Sequence, residues 1–333
     1  MRQRAIDMPF AAGMEGTCRS IAKSGQNEKH KVRYTSYKSR SARFQSTSKS
    51  TKRYLDNLIV SHKPSHLTAK AKPHPTRYII TVTMSSAALS GKVAIITGGS
   101  KGIGASTATA LVKLGAKVVI NYGHDSAAAE SLVSRLGGAD HAIAVQADAG
   151  SITGVETLVK CAVDKFGKID ILIPNAGILP MKTVEATTEA DFDRAFNLNV
   201  KGPYFLVQKA LPYMARGSRI VLLSTTQCHA STVTPPYTLY CATKGAIEQM
   251  VRTMSKDLQA SKGISVNAVA PGPTGTDLFM EGKSEQLLKM IASMNPNNRI
   301  GTPEEVADAI VLICRHEARW VSGQTIKVNG GQA

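Results

Sequence analysis

Short apolar segments alternate with segments of helical periodicity from residue 92 to the end of the chain, and this alternation limits the possible folds most strongly. Apolar residues recur about every 3.6 positions in 107–114, 127–136 and 155–166, which predicts helices there. The apolar segments predict strands at 93–96, 118–121, 141–146, 169–173, 219–223, 265–270 and 325–328. Such alternation implies right-handed crossovers and a parallel sheet covered on both faces. We therefore expect residues 84–333 to form a single doubly wound α/β domain of Rossmann type, with about seven parallel strands.

A glycine-rich turn, T-G-G-S-K-G-I-G at 97–104, follows the first predicted strand directly and opens a helical segment. In a parallel sheet, the first strand–helix turn is the preferred site for a nucleotide diphosphate, which binds at the helix N-terminus. Glycine permits the tight turn and lets the backbone approach the phosphates closely. The turn predicts a dinucleotide site, in which the expected contacts are Gly98, Ser100, Lys101, Gly102, Ile103 and Gly104.

The end of the second predicted strand indicates which dinucleotide this turn would bind. An NAD site usually places an acidic side chain there, where it accepts hydrogen bonds from the ribose hydroxyls. This strand ends instead at the uncharged Asn121 and Tyr122, which are expected cofactor contacts, and Lys101 and Ser100 of the turn could meet a 2′-phosphate. Asp125 is the rival acidic residue, but it lies four residues past the predicted strand end and is expected to point into solvent. The sequence thus favours NADP(H).

Tyr240 and Lys244 lie four residues apart, a spacing that places both side chains on one face of a helix. A cation beside a phenol favours the phenolate and lowers its pKa from about 10. A tyrosine tuned in this way can pass a proton to a carbonyl oxygen as hydride reaches the carbon. The same spacing also fits an exposed helical pair, so its meaning depends on the motifs around it.

Six motifs, taken in order, resemble those of the short-chain dehydrogenase/reductase family. They are T-G-G-S-K-G-I-G at 97–104, N-A-G at 175–177, N-V-K-G at 199–202, Y-C-A-T-K at 240–244, P-G-P-T-G-T at 271–276 and V-N-G-G at 328–331. The resemblance covers about residues 88–333 and is similar to fungal and plant NADPH-dependent ketoreductases, including polyketide, naphthol and oxoacyl-carrier reductases. It implies that hydride passes between the nicotinamide and a substrate carbonyl, so that a ketone and a secondary alcohol are interconverted.

The resemblance also implies a role for individual residues. Tyr240 would be the general acid and base, and Lys244 would tune its pKa and contact the nicotinamide ribose. Asn199 would hold a helix kink and a water that relays protons to Lys244. Asp148 would face the adenine, and the other implied cofactor contacts are Asn175, Ala176, Gly177, Pro271, Gly272, Thr274 and Thr276.

The chain departs from the family at the catalytic serine, which usually ends the fifth strand. Thr225 stands where that serine is expected, 15 residues before Tyr240. A threonine hydroxyl can still donate to a substrate carbonyl, although its methyl group restricts χ1. Thr226, which restores the family's spacing, and Ser224, which conserves the residue type, are the alternatives.

The substrate side is less constrained than the cofactor side. Residues 275–298 resemble the family's mobile substrate lid, in which Phe279 and Met280 would present an apolar, adaptable surface. Ordinary amphipathic packing explains the methionines of this segment equally well. His229 and Tyr237 are predicted on the opposite wall. Together these residues favour a flat or hydrophobic ketone, aromatic or polyketide-like, without choosing among the family's substrates.

The first 83 residues differ in composition from the remainder of the chain. They carry 17 Lys and Arg against 4 Asp and Glu, whereas residues 84–333 carry 24 against 20, so most of the net charge of +17 lies in this segment. It is rich in Ser and Thr and has no sustained apolar periodicity, which predicts disorder. A leader or a mis-assigned start ahead of Met84, a mitochondrial targeting segment and a nucleic-acid-binding arm all fit this composition. We expect a cytoplasmic protein, with the mitochondrion as the alternative.

Three hypotheses for function therefore remain: an NADPH-dependent ketoreductase, a cofactor-binding protein without catalysis, and a protein that acts on nucleic acid through its basic arm. The first is favoured, and aromatic residues are too sparse in the arm to support the third. The five cysteines show no metal-ligand spacing, and no apolar run approaches the roughly 20 residues that cross a bilayer. We expect no metal and no membrane, and the family resemblance implies a homodimer or homotetramer.

Overall fold

A computed structural model of the chain describes residues 88–333, so the predictions for the basic segment 1–83 lie outside the described residues. One seven-stranded sheet is built from β1 (Val93–Ile96), β2 (Lys117–Tyr122), β3 (Ala142–Gln146), β4 (Ile171–Ile173), β5 (Arg219–Leu223), β6 (Ser265–Pro271) and β7 (Thr325–Val328). The helices are α1 (Gly102–Lys113), α2 (Ser126–Arg135), α3 (Ile152–Phe166), α4 (Glu189–Phe196), α5 (Gly202–Ala210), α6 (Thr238–Lys262), α7 (Asp277–Met280), α8 (Glu285–Ser293) and α9 (Pro303–Cys314). Helix and strand alternate along most of the chain, as the sequence predicts.

The strands lie in the order β3-β2-β1-β4-β5-β6-β7, and every neighbouring pair is parallel. The chain first moves outward from β1 to β3 and then returns to β4, on the other side of β1. The strand order therefore reverses between β1 and β4. Ligands of doubly wound sheets bind beyond the carboxyl ends of the strands at this reversal.

Both faces of the sheet are covered, which explains why the strands are apolar throughout. On one face the core includes Leu111 of α1 and Ile310 of α9. On the other it includes Leu158 of α3, Leu206 of α5 and Ile247 of α6. The predicted Rossmann-type α/β fold is confirmed, and this packing fixes the positions of the loops at the carboxyl edge.

Two of the predicted boundaries that differ from the structure by a few residues have an identifiable local reason. The helical periodicity begins at residue 107, but α1 begins at Gly102, inside the glycine turn. Strand β4 begins at Ile171 rather than at 169, because the Ile169 N–H donates to the carbonyl of Tyr213 (3.1 Å) instead of to a neighbouring strand. Neither difference moves the carboxyl ends of the strands.

Candidate active site

The glycine turn after β1 is shaped by three glycines that no other residue could replace without movement. Gly98 and Gly102 have φ of +59° and +51°, in the left-handed region that favours glycine. A Cβ on Gly104 would lie 2.3 Å from the Gly98 carbonyl oxygen, so α1 can approach the turn this closely only with glycine there. The backbone at the head of α1 is consequently open toward the carboxyl edge of the sheet.

Two buried or half-buried asparagines hold the turn in place. The Gly98 N–H donates to Asn121 Oδ1 (3.2 Å), and Asn121 Nδ2 donates to the Ala147 carbonyl (2.9 Å). Asn175 Nδ2 donates to the carbonyls of Thr97 (2.9 Å) and Gly98 (3.0 Å). Asn121 is 2% exposed, so its amide supports the turn from the interior of the fold. The sequence predicted a contact with the cofactor at this position instead.

The head of α1 fits an anion from the cofactor. Six other helices begin with a side-chain cap, supplied by Asp125, Ser151, Thr188, Thr276, Ser284 and Thr302. The N-cap of α1, Lys101, makes no side-chain cap hydrogen bond, and the first turn of the helix carries no acidic residue. N–H groups at such a helix start bind phosphate through the positive end of the helix dipole. The glycine turn and the start of α1 together fit the diphosphate of a dinucleotide.

Two charged side chains form an ion pair beside the turn. Lys101 Nζ lies 2.6 Å from Asp125 Oδ2, and the two side chains are 53% and 44% exposed. Asp125 is exposed, as the sequence predicts, but it is not free: it binds the lysine and also caps α2 by accepting from the Ala128 N–H (2.9 Å). The hydrogen bond with Asp125 raises the pKa of Lys101, so the lysine stays charged beside the turn.

Tyr240 and Lys244 lie in the first two turns of α6, and both line the same cavity. Lys244 Nζ is 5.7 Å from the centroid of the Tyr240 ring and donates to the Leu223 carbonyl at the end of β5 (2.7 Å). Lys244 is 5% exposed. The two side chains therefore share one face of the helix, and the β5 carbonyl holds the ammonium group in place.

Burial dominates the protonation of this pair. It raises the pKa of Tyr240 above its ordinary value, and a hydrogen bond with Thr225 lowers it by less. Burial also lowers the pKa of Lys244 to about 8. The direction is therefore opposite to the lowered pKa that the pairing with a lysine predicts, and the largest cause is the loss of solvent around the phenol. A phenol that stays protonated can act as a proton donor.

The three candidate hydroxyls after β5 have different partners. Ser224 Oγ donates to Glu248 Oε1 (2.7 Å), and Thr226 Oγ1 donates to the Pro271 carbonyl (3.1 Å). The Thr225 hydroxyl accepts from the Gln227 N–H (3.3 Å), and it lies close enough to the Tyr240 hydroxyl to lower the pKa of that phenol. Only Thr225 of these three pairs with the tyrosine, which favours the choice made from the sequence.

Asn199 lies in a π-helical turn, Asn197–Lys201, which joins α4 to α5. Its Oδ1 accepts from the Ile178 N–H (2.9 Å), while its Nδ2 donates to the Ile178 carbonyl (2.9 Å) and to Thr243 Oγ1 (3.1 Å). A π turn of this kind often marks a functional site. The predicted helix distortion is present, and Asn199 ties it to α6 one residue before Lys244.

These elements surround a cavity of about 340 Å³ at the carboxyl edge of the sheet. Most of the predicted site residues line it, namely Gly98, Lys101, Gly102, Ile103, Asn175, Ala176, Gly177, Thr225, Tyr237, Tyr240, Lys244, Pro271, Gly272, Thr274, Thr276 and Phe279. A diphosphate cradle and a proton donor therefore face the same space, which suits chemistry between a dinucleotide and a second molecule.

Several predicted residues lie outside the walls of this cavity: Ser100, Gly104, Asn121, Tyr122, Asp148, Asn199, His229 and Met280. Asp148 accepts from the Gly150 N–H (2.8 Å), His229 turns toward Glu248 and Met280 is 41% exposed. Six further residues line the cavity without having been predicted from the sequence: Leu179, Leu223, Gln227, Pro273, Asp277 and Leu278. Gln227 could have been found, since it lies two residues after the candidate hydroxyl.

Comparison with known proteins decides the family. Residues 98–333 match the family model described as enoyl-(acyl carrier protein) reductase. Versicolorin reductase 1 of Aspergillus parasiticus is 40% identical over 256 residues, which cover 73% of this chain and 97% of the relative. A short chain dehydrogenase/reductase of Aspergillus aculeatus is 39% identical over 268 residues, with 76% and 100% covered. The chain belongs to the short-chain dehydrogenase/reductase family.

Solved structures of this family share the fold. A short chain dehydrogenase from Burkholderia cenocepacia in complex with NADP has a TM-score of 0.69 and 31% identity, covering 73% of this chain and 98% of its own. A blue fluorescent protein from a metagenomic library in complex with NADPH has a TM-score of 0.69 and 32% identity, covering 74% and 99%. The chain is thus a short-chain oxidoreductase, homologous to reductases of fungal secondary metabolism, and two structural relatives bind NADP(H).

Two further kinds of site are absent from residues 88–333. In this range, His, Cys, Asp and Glu side chains do not come together in groups of three that could bind a metal ion. The helices of the same range are also too short or too polar to cross a membrane. Cys161, Cys228, Cys241 and Cys314 are free thiols.

Proposed function

We propose that this short-chain reductase interconverts a ketone and a secondary alcohol, with NADP(H) as the hydride carrier. One observation carries the proposal: Thr225, Tyr240 and Lys244 face the same cavity as the glycine turn. A reductase of this kind needs a diphosphate cradle, a proton donor and a second hydrogen-bond donor beside one carbonyl group. The chain supplies all three from rigid elements.

The residues that would bind the cofactor follow from the site. The glycine turn and the N–H groups at the start of α1 suit the diphosphate, and Asn175, Ala176 and Gly177 line the way toward Lys244. When bound, NADPH supplies the hydride that reduces the carbonyl carbon. An uncharged end of β2 and the lysine at 101 support NADP(H) over NAD(H). Lys101 would then share its charge between Asp125 and the 2′-phosphate.

The protein's own part in the reaction is to place and transfer a proton. The Tyr240 hydroxyl donates its proton to the substrate oxygen as the carbonyl carbon is reduced. Because burial raises the pKa of Tyr240, the phenol carries that proton at neutral pH. Thr225 donates a hydrogen bond to the same oxygen and stabilises the negative charge that develops there. Lys244, held by the Leu223 carbonyl, places a positive charge beside the phenol.

The substrate side of the cavity favours an aromatic or polyketide-like ketone. Its walls include the apolar Leu179, Leu278 and Phe279, together with the ring of Tyr237. Rigid rings bind well against such surfaces, and the single amide of Gln227 could accept or donate one hydrogen bond to a ring hydroxyl. Versicolorin reductase 1, a relative at 40% identity, bears the name of such a substrate, which supports the same class here.

A 3-oxoacyl group on a carrier is the second candidate substrate. The family model that matches residues 98–333 is described as enoyl-(acyl carrier protein) reductase; it names a different reduction, of a carbon–carbon double bond, but the same kind of carrier-bound acyl group, which is the feature that favours this candidate. The two substrates differ in shape, because an acyl chain is flexible and is delivered by a protein. Side-by-side reduction of a bicyclic aromatic ketone and an acetoacetyl thioester therefore separates them, and we expect the bicyclic ketone to have the higher kcat/KM.

The proposal is tested by following NADPH oxidation with a panel of ketones, using the full chain and a chain that begins at Met84. Ketone-dependent oxidation by both forms is expected. Activity in neither form would contradict the proposal and favour a cofactor-binding protein without catalysis. Loss of activity only in the shortened chain would show that the basic segment takes part.

Assembly and compartment follow as smaller proposals. Tyr204 on α5 and Tyr213 just after it are 45% and 44% exposed, which supports a homodimer or homotetramer that buries this surface together with α6. We place the enzyme in the cytoplasm, with the mitochondrion as the alternative if residues 1–83 act as a targeting segment. Light scattering tests the first proposal, and the N-terminal residue of the mature protein tests the second.

A further inference from the structure

Glu248 lies on the reactive face of α6 but takes no part in the reaction described above. Tyr240, Lys244 and Glu248 follow one another at intervals of four residues, so all three point to the same side of the helix. The Glu248 side chain is only 15% exposed. A carboxylate with so little exposure is costly to bury unless it has firm partners.

Two hydrogen-bonding partners meet one oxygen of this carboxylate. Ser224 Oγ donates to Glu248 Oε1 at 2.7 Å, and His229 Nε2 lies 3.0 Å from the same oxygen. Ser224 directly follows β5, where its N–H donates to the Val269 carbonyl (2.8 Å). The carboxylate therefore connects α6 with both ends of the segment 224–229.

The segment 224–229 lines the cavity with four residues, namely Ser224, Thr225, Thr226 and Gln227. Its internal hydrogen bonds are local: the Gln227 N–H donates to Thr225 Oγ1 (3.3 Å), and the His229 N–H donates to the Thr226 carbonyl (2.9 Å). Local bonds of this kind keep the shape of a short turn but do not fix its distance from a neighbouring helix. The bonds to Glu248 supply that distance at both ends, and between them, apart from the contact of Thr225 with Tyr240, only the longer contact from Cys228 Sγ to the Cys241 carbonyl (3.7 Å) joins the segment to α6 by a hydrogen bond within the described residues.

We propose that Glu248 is a positioning residue for the reaction: through Ser224 and His229 it holds the segment 224–229 against α6, so that the Thr225 hydroxyl stays beside the Tyr240 hydroxyl and Gln227 stays in the cavity wall. The inference rests on the proposed ketone reduction and adds a residue that the family's motifs do not include. Hydrogen bonds to a carboxylate are roughly twice as strong as those between neutral groups, which suits this role.

The test compares two variants of the full chain. In Glu248→Ala both bonds are lost, whereas Glu248→Gln keeps an oxygen that can accept from Ser224 and His229. We expect Glu248→Ala to lower kcat for ketone reduction about 10- to 100-fold and to raise KM for the ketone, because the donor at Thr225 moves away from the carbonyl. The Kd for NADPH stays unchanged. Glu248→Gln retains most of the wild-type kcat, and Gln249→Ala, at the exposed neighbouring position, serves as the matched control.

A second measurement does not depend on activity. Amide hydrogen exchange followed by mass spectrometry should become faster in 224–230 for Glu248→Ala but not for Glu248→Gln, while exchange in β1 stays the same. The double variant Ser224→Ala, His229→Ala should show the same exchange and kcat as Glu248→Ala, and adding Glu248→Ala to it should change neither further. The double variant also gives the result if Glu248→Ala does not fold.

The outcomes separate this inference from the proposed function. If wild type reduces no ketone while exchange in 224–230 responds to Glu248→Ala, the proposed function is wrong and the anchoring of the segment stands. If wild type reduces ketones and Glu248→Ala keeps its kcat, its KM and its exchange, the positioning role is wrong. Equal loss of kcat in Glu248→Ala and Glu248→Gln would also overturn it, since the hydrogen-bond acceptor would then not be what matters.

Discussion

The two walls of the cavity are held in very different ways. One, the catalytic wall of Thr225, Tyr240 and Lys244, is fixed by hydrogen bonds to its surroundings, with Thr225 7% and Lys244 5% exposed. The other wall is formed by Asp277, Leu278 and Phe279 of the predicted lid, residues 275–298, whose apolar side chains are exposed: Leu278 is 46%, Met290 50% and Met294 49% exposed. The catalytic wall lies on α6 and on the turn directly after β5, whereas the predicted lid contains two short helices, α7 and α8.

This difference follows from what each wall has to do in the proposed reaction. Proton transfer requires donor atoms held within a fraction of an ångström, and a buried, hydrogen-bonded wall provides that. Recognition of an apolar ketone tolerates, and gains from, side chains that adapt their shape. We therefore expect substitutions in the catalytic wall to change kcat and substitutions in the lid to change KM.

The largest effect is expected at the proton donor. Tyr240→Phe removes the hydroxyl but keeps the ring, and we expect kcat to fall by about 100- to 10,000-fold with an unchanged Kd for NADPH. Steady-state kinetics and NADPH fluorescence titration provide the two numbers. Retention of wild-type kcat in Tyr240→Phe would show that Tyr240 is not the proton donor.

The next largest effect shows which of two neighbouring hydroxyls in the catalytic wall takes part in the reaction. Thr225→Val should lower kcat/KM about 100-fold, because a donor to the developing oxyanion is lost. Thr226→Val removes a hydroxyl that binds the Pro271 carbonyl instead and should cost much less. The opposite order, with Thr226→Val inactive and Thr225→Val active, would transfer the catalytic role to Thr226.

The buried lysine of the catalytic wall should also be visible in protein stability. In the folded protein burial lowers the pKa of Lys244 to about 8, while the unfolded chain keeps the ordinary value of 10.5. Between these values the unfolded chain binds more protons, so this group makes the free energy of unfolding rise with pH. Urea unfolding at pH 7.5 and 9.5 should show a gain about 2 kcal/mol larger in wild type than in Lys244→Met. Equal gains in both proteins would mean that Lys244 titrates normally.

Substitutions in the lid are expected to change KM for the ketone. Phe279→Ala shortens a side chain that lines the cavity, and we expect KM for a bicyclic ketone to rise about tenfold with little change in kcat. Met294→Ala, at an exposed position of the same segment, is the matched control. A fall in kcat without a change in KM for Phe279→Ala would show that the lid is part of the catalytic apparatus and would erase the contrast between the walls.

The smallest effect concerns the exposed ion pair beside the glycine turn. Lys101→Ala should raise KM for NADPH about two- to fivefold and leave KM for NADH unchanged. Asp125→Ser keeps an α2 cap, frees Lys101 and should lower KM for NADPH by a similar factor. The KM for NADPH changes in opposite directions in the two variants only if Lys101 binds the 2′-phosphate. Equal changes in the KM values for NADPH and NADH would show that it does not.

The sequence predicts those parts of the molecule that depend on local pattern. The seven strands and the glycine turn of β1 could be located because apolar segments and glycine spacing are local signals, and the face shared by Tyr240 and Lys244 follows from helical spacing. Whether a side chain is already engaged is a property of the folded chain. Asn121 looked like a cofactor contact but supports the turn, and Asp125 looked free but binds Lys101.

The pKa of the Tyr240 phenol also could not be predicted from a local sequence pattern. The pairing of a lysine and a tyrosine predicts a lowered pKa for the phenol, but the loss of solvent around Tyr240, which depends on the packing of α6 against β5, reverses the direction. Glu248 could have been noticed from the four-residue intervals that include it. Its partners at Ser224 and His229, on a separate segment, could not.

Hydride transfer to a ketone is the central claim, and labelled cofactor tests it most directly. NADPH carrying deuterium at the transferred C4 position is incubated with the full chain and a bicyclic aromatic ketone, and the alcohol product is examined by mass spectrometry and NMR. We predict one deuterium at the carbinol carbon for each NADPH consumed, and none with Tyr240→Phe over the same time. Consumption of NADPH without deuterium at that carbon, or no alcohol with any ketone tried, would contradict the account.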